Sequence, residues 1–378
     1  MKRRVALVVL IVALVVLWRP LLRPLGAGSI VVADIYSSAL WDRNLAALVT
    51  PPPRVSDSSD DVLGSPMRIT WWTPGWGDRH AAVMLVNGAT QLGNDDPETR
   101  RLGEALARGG YLVMLPEFAF IKEGRFDARA TAYLDAAFAR LLARPDASGM
   151  PHGAFGFSVG GGLLLAAATR PALRRATYLG ALGAYFDLDT YLAAVVSGTQ
   201  RRAGQLEPWD ADAEVRLRLP VAVAEALADP TDRARVTDAL RAGAGHLSAA
   251  PPNDLGAEAV SLWSALASSD YAAALERIRA LPVSLRAIFD EVSPRTAWAT
   301  VRPPVFWLHD VGDRFEPVSE AENGASLAHA GPIRLQRTAL LSHAAALGAG
   351  ARAKGLDFWF AELSGLLSFA TAVQSEGL

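Results

Sequence analysis

Along most of the chain, short apolar runs alternate with amphipathic stretches, and the period of the pattern switches between strand and helix. Residues 67–73 alternate and are rich in β-formers, which predicts a strand. Residues 81–86 (AAVMLV), 111–115 (YLVML), 154–157 and 176–182 are runs of the kind a parallel sheet buries on both faces. Between them, helical spacing covers 96–107, 127–142 and 159–169. Asp96 suits the N-cap of the first of these, with Pro97 at the first helical position and Gly109-Gly110 as the stop. Beyond residue 186 the buried-strand signal is lost. Amphipathic stretches at 220–227, 232–242, 257–267 and 272–278, separated by proline and glycine, predict a helical insertion over 186–300. Alternation then resumes with a strand at 305–308, a helix at 319–328, a strand at 333–341 and a closing helix at 357–373. This order predicts an α/β fold: a mostly parallel central sheet with helices on both faces and a helical cap inserted into it.

The two parts of that core are 66–185 and 301–378. Residues 26–65, with Pro51-Pro52-Pro53 and a polar stretch at 56–61, read as a linker. Before it, Lys2, Arg3 and Arg4 lead into an unbroken apolar run at 5–18, followed by Arg19 and Arg23. The run has no polar face, so it does not suit a core helix. It is shorter than the roughly 20 residues of a membrane span, but a snorkelling Arg19 extends it through Leu22. No good small-x-small cleavage site follows. Residues 1–25 are therefore expected to be an N-terminal apolar helix that anchors the chain in a membrane, in preference to a cleaved signal. The basic cluster leaves the N-terminus cytoplasmic and the remaining domain outside the inner membrane; cleavage would make the protein secreted.

Composition narrows the chemistry. Hydrophobic residues make up 51% of the 378, enough for a large core. The 37 basic and 39 acidic residues give a net charge of −2, so nothing suggests a nucleic-acid partner. The absence of cysteine excludes disulfides, thiolate metal sites and a cysteine nucleophile. No phosphate loop and no metal-ligand spacing occur, so neither a metal nor an organic cofactor is expected. Trp71, Trp72 and Trp76 read as packing residues.

Active sites in parallel sheets lie beyond the strand carboxyl ends. There, Gly156-Phe157-Ser158-Val159-Gly160 falls between a predicted strand and a predicted helix. A serine nucleophile needs a sharp turn at that point, and the flanking glycines remove side chains that would obstruct it. Its acid and base should follow in that order along the chain. Of six histidines, His80 and His152 come too early, His246 lies in the insertion, His309 precedes the acid loop and His329 falls near a helix end. His343, directly after the last predicted strand, is the expected base. The loop 309–317 (HDVGDRFEP) offers two aspartates. Asp313 has the greater reach and is the expected acid, while Asp310 suits an Asx turn. Glu316 reads as a solvated rim residue, Glu117 as half of a rim salt bridge, and Asp95-Asp96 as helix capping. The backbone N–H groups of Val159 and of Ala89, in the loop after residues 81–86, are the expected oxyanion donors.

VNGAT (86–90), GFSVGG (156–161), HDVGDRFEP (309–317) and His343 together resemble the α/β-hydrolase superfamily, especially its bacterial esterase-like and dienelactone-hydrolase-like members. The resemblance covers 67–185 and 302–373. It implies Ser158 as nucleophile, Asp313 as acid, His343 as base, and Ala89 and Val159 as oxyanion donors. Two departures stand out: Asn87 where many members carry histidine, and Glu316 where an apolar residue is usual. The insertion at 186–300 sits where the superfamily often places a cap. The implied activity is hydrolysis of carboxylic esters or related acyl compounds, with a small-molecule substrate, through an acyl-enzyme on Ser158. An acyltransferase or peptidase using the same triad, or a non-catalytic surface module on this scaffold, are the alternatives.

Overall fold

A computed structural model describes residues 23–41, 43–76, 79–343, 347–348 and 351–376. The apolar run at 5–18, and the anchor expected from it, lie outside the described residues.

The described residues open with helix α1 (Arg23–Trp41), then strands β1 (Arg54–Val62), β2 (Ser65–Thr73) and β3 (Ala81–Val86). Next come α2 (Pro97–Arg108), β4 (Tyr111–Pro116), the single turn α3 (Ala119–Lys122), α4 (Ala130–Ala143), β5 (His152–Phe157), α5 (Ser158–Ala166) and β6 (Tyr178–Leu182). The insertion holds α6 (Leu188–Ser197), a hairpin of β7 (Thr199–Arg202) and β8 (Gln205–Pro208), then α7 (Ala213–Ala224), α8 (Pro230–Ala242), α9 (Ala257–Leu266), α10 (Tyr271–Arg279) and α11 (Val283–Val292). The core closes with β9 (Val305–Asp310), α12 (Val318–Ser326), β10 (Ile333–Thr338) and α13 (Leu356–Glu376).

Eight strands form one sheet in the order β1-β2-β4-β3-β5-β6-β9-β10. Only β2 runs against the others: it pairs antiparallel with both β1 and β4, and every other pairing is parallel. The strand periodicity of two divides the core. Ala82, Met84 and Val86 of β3 face one apolar cluster, with α4 and α5, while Ala81, Val83 and Leu85 face the other, with α2 and α13. The expected α/β class, with its mostly parallel sheet, is what the chain adopts.

Residues 26–65 are not a simple linker. They form α1 and the edge strand β1. Helix α1 packs on α13, where a Cβ at Gly28 would stand 3.0 Å from the Thr371 nitrogen. It also places Asp34 3.0 Å from Arg108 on α2, with both side chains buried. Strand β1 is polar and exposed over nearly its whole length. It has no buried face to impose alternation, and its acidic residues suit an edge that must not pair further. In the insertion, α7 starts at Ala213 rather than at Pro220, because Asp212 caps it by accepting from the Glu214 N–H. The β7–β8 hairpin, absent from the sequence expectation, turns through Ala203 and Gly204, both at positive φ.

Candidate active site

Strand β5 ends at Phe157 and α5 begins at Ser158 with no linker between them. The whole reversal therefore falls on Ser158, which adopts φ +50°. Such a left-handed conformation costs a non-glycine residue on the order of 1–3 kcal/mol and persists only where the surroundings enforce it. The neighbours are close. A Cβ at Gly160 would meet the Asn87 carbonyl oxygen at 2.0 Å, and one at Gly156 would meet the Gly161 Cα at 2.6 Å. A Cβ at Gly88 would stand 3.0 Å from the Cβ of Ser158 itself. Glycine is required at these positions by the tightness of the turn.

Around Ser158 lies a cavity of about 240 Å³. It is shared by Ala89 from the loop after β3, Val159 from the first turn of α5, Phe315 and Glu316 from the loop after β9, and His343. Val159 belongs to the group of helix N-terminal N–H donors that have no partner within the helix. Helix α7 closes one wall with Val215, Leu219 and Ala222. From the same helix, Arg218 donates to the Ala89 carbonyl at 3.0 Å, so the cap holds the loop expected to supply an oxyanion donor.

The two aspartates of the β9 loop have separate tasks. Asp310 Oδ1 accepts from the Gly312 N–H at 2.9 Å, the expected Asx turn, and burial pushes its carboxyl up to about 6. Asp313 turns inward. Its Oδ1 accepts from the N–H groups of Phe315 (2.7 Å) and Glu316 (3.1 Å), and its Oδ2 lies 2.9 Å from His343 Nδ1. Burial works against charge on Asp313, but His343 and these hydrogen bonds outweigh it and keep the carboxyl below its ordinary range. With Asp313 ionised, Nδ1 is the donor, which leaves Nε2 as the atom available to a substrate or nucleophile. The imidazole stacks on Phe315 at 4.8 Å between ring centroids.

The acid loop is tied down from outside. Four successive main-chain carbonyls each take a side-chain or backbone partner. Trp209 Nε1 donates to Asp313 (2.8 Å), the Asp212 N–H to Arg314 (2.7 Å) and the Tyr191 hydroxyl to Phe315 (2.8 Å), while His309 Nε2 lies 3.0 Å from the Glu316 carbonyl. His309 is wholly buried, and that burial pushes its pKa down, so it serves as a neutral donor. Three of these partners come from the insertion, whose helical pattern gave no sign of this role.

Glu316 departs most from expectation. It is not a solvated rim residue: it is 1% exposed. Ser158 Oγ donates to Glu316 Oε1 at 2.7 Å, and Oε2 stands 3.2 Å from His343 Nδ1. Burial raises its carboxyl to about 7. Burial also opposes charge on His343, yet Glu316 and Asp313 together outweigh it and lift the imidazole to about 9. The one sequence signal for this residue was its polarity at a usually apolar position.

Asp313, Glu316 and His343 have donor atoms within 4.8 Å of one another, a grouping that could hold a cation although no linear spacing announced it. The same atoms are engaged with each other and with Ser158, and a hydrogen-bonded network accounts for their placement. Elsewhere, Glu117 pairs with Lys122 at 3.1 Å, Asp96 caps α2 by accepting from the Thr99 N–H at 3.0 Å, and Asn87 donates to the Gly93 carbonyl at 2.9 Å. Trp71 and Trp72 are buried.

No family model and no curated protein sequence matches the chain. Among solved structures it is similar to a dienelactone hydrolase from Anabaena variabilis ATCC 29413, at 13% identity over 86% of this chain and 96% of that one, with a TM-score of 0.43. It is also similar to a 2,6-dihydroxy-pseudo-oxynicotine hydrolase (15% identity, 93% and 82% covered, TM-score 0.48) and to an esterase of Pyrobaculum calidifontis (14% identity, 85% and 86% covered, TM-score 0.47).

Proposed function

We propose that this chain is a serine hydrolase of the α/β-hydrolase type that cleaves carboxylic esters of small, largely apolar acyl groups. One observation carries the reading: Ser158, strained at a strand–helix junction, opens into the cavity that also holds His343, whose Nδ1 is engaged by the buried Asp313.

In this reading Ser158 Oγ attacks the acyl carbonyl as His343 Nε2 takes its proton. Asp313 fixes the imidazole tautomer and stabilises the imidazolium. The N–H groups of Ala89 and Val159 receive the charge that develops on the carbonyl oxygen. His343 then protonates the leaving alcohol, and water, activated by the same ring, releases the acyl group. The apolar wall from α7, together with Phe315, suits a hydrocarbon acyl chain, while Arg125 and Glu214 add polar groups to the lining. The apolar run at 5–18 supports attachment to a membrane, with this domain outside the inner membrane.

The test is covalent. A fluorophosphonate reagent should add once to the protein by intact mass, and Ser158→Ala should abolish the adduct. His343→Ala should slow it by about 1,000-fold or more. A folded wild type that takes no adduct would defeat the proposal.

A further inference from the structure

In the resting site the single proton of the Ser158 hydroxyl is given to Glu316, at 2.7 Å, and not to His343. The other oxygen of the same carboxylate faces an N–H that is already committed. His343 Nδ1 carries one proton and lies 2.9 Å from Asp313 Oδ2 but 3.2 Å from Glu316 Oε2, which has no hydrogen-bond partner among the described residues. Glu316 has little freedom to move away. Its N–H donates to Asp313 Oδ1, its carbonyl faces His309 Nε2, and its side chain is buried. Two buried carboxylates thus converge on one imidazole, an arrangement that favours a charged ring.

Among the described residues, the groups facing Glu316 are few. Ser158 comes from α5, Tyr191 from α6, Tyr185 from the segment after β6, and His309 from β9, with Asp313 and His343 completing the set. Burial holds both tyrosines well above their ordinary value and His309 below its own, so all three are neutral. Asp313 repels the Glu316 carboxylate and His343 attracts it. Asp310 also favours the charged form of His343.

We propose that Glu316 is a positioning residue of the acyl-transfer site, which holds the Ser158 hydroxyl as its resting partner and keeps the His343 ring charged until that ring gives up its proton. The inference rests on the serine-hydrolase reading given above. The step breaks one N–H bond and forms one O–H bond on water. The imidazolium loses its Nε2 proton to water in the cavity, the freed lone pair takes over the Ser158 hydroxyl from Oε1, and the nucleophile is then paired with its base. An imidazole lifted to about 9 and a carboxyl lifted to about 7 are in keeping with this order of events.

The sign of the effect follows. Opposite charge within hydrogen-bonding range commonly raises an imidazole by about 1–3 pH units, and removing one of two carboxylates returns part of that shift. Glu316→Gln retains an acceptor for Ser158 but removes the charge, whereas Glu316→Leu removes both. The experiment measures the rate of fluorophosphonate labelling and kcat/KM for a p-nitrophenyl ester from pH 5 to 10, in wild type, both Glu316 variants and Ser158→Ala. Imidazole NMR follows the titration of His343 in the same proteins. The wild-type rate should rise with pH to a midpoint near 9. In both variants the midpoint and the His343 titration should move down together by about 1 pH unit or more, giving about tenfold faster labelling at pH 7. A His343 titration unchanged in Glu316→Gln would overturn the proposal. So would folded Glu316 variants that label more slowly than wild type at every pH. Labelling that survives Ser158→Ala would instead defeat the hydrolase reading, and the NMR titration, which needs no activity, separates the two failures.

Discussion

The indole nitrogen of Trp209, in the insertion, donates to the main-chain carbonyl of Asp313 at 2.8 Å. A residue of the insertion thereby helps to set the position of the carboxylate that faces His343. Trp209→Phe preserves much of the packing but leaves a buried carbonyl without its partner. It should lower stability by about 1–3 kcal/mol in urea titrations. It should also reduce kcat more than it raises KM, because the loosened loop moves Asp313 and leaves the apolar wall on α7 in place. Equal stability and unchanged kcat would show that the other ties on the loop suffice.

Gly88→Ala would place a methyl group 3.0 Å from the Cβ of Ser158, on a turn closed by a Thr90 N–H bond to the Gly88 carbonyl at 2.8 Å. Either the serine or the loop bearing Ala89 must give way. A displacement of about 1 Å at a reacting centre costs about 100-fold in rate. Steady-state kinetics should show that loss mainly in kcat, with a melting temperature close to wild type.

Asp310 gives a stability signature in pH. Its folded carboxyl titrates at about 6, against 3.8 ordinarily. Between about pH 4 and 6 the folded chain keeps a proton that the unfolded chain has lost, so this group's contribution to stability falls as pH rises through that window. Asp310→Asn keeps the acceptor for the Gly312 N–H and removes the titration. Relative to wild type, the variant should become progressively more stable across the window, approaching about 3 kcal/mol above it. Urea midpoints of the two proteins at pH 4, 5, 6 and 7 check this; parallel curves would refute it.

A chain starting at Arg43 should be markedly less stable than one starting at Arg23. The shorter chain loses the buried side chains of Val31 and Tyr36 and leaves the Arg108 guanidinium without Asp34. Breaking a buried ion pair alone costs about 3–5 kcal/mol. Chemical denaturation of the two chains should separate them by at least that amount.

The sequence by itself determined the α/β layering and singled out Ser158, Asp313 and His343 as candidates. Strands buried on both faces must be apolar throughout, and the strand–helix turn at Ser158 tolerates only glycine two residues to either side, so both leave local marks. It did not mark β1, which is exposed, polar and free of alternation, nor α1, whose small residues suit close packing on α13 and read as a tether. The burial of Glu316 was decided by the tertiary structure. Glutamate is ordinarily solvated, and only the convergence of the β5–α5 junction, the β9 loop and the segment after β10 buries this one between Ser158 and His343. The anchoring of the acid loop by Tyr191, Trp209 and Asp212 has the same origin. Those contacts span about 100 residues or more of sequence, and a hydrogen bond at that separation leaves no periodicity for a sequence to display.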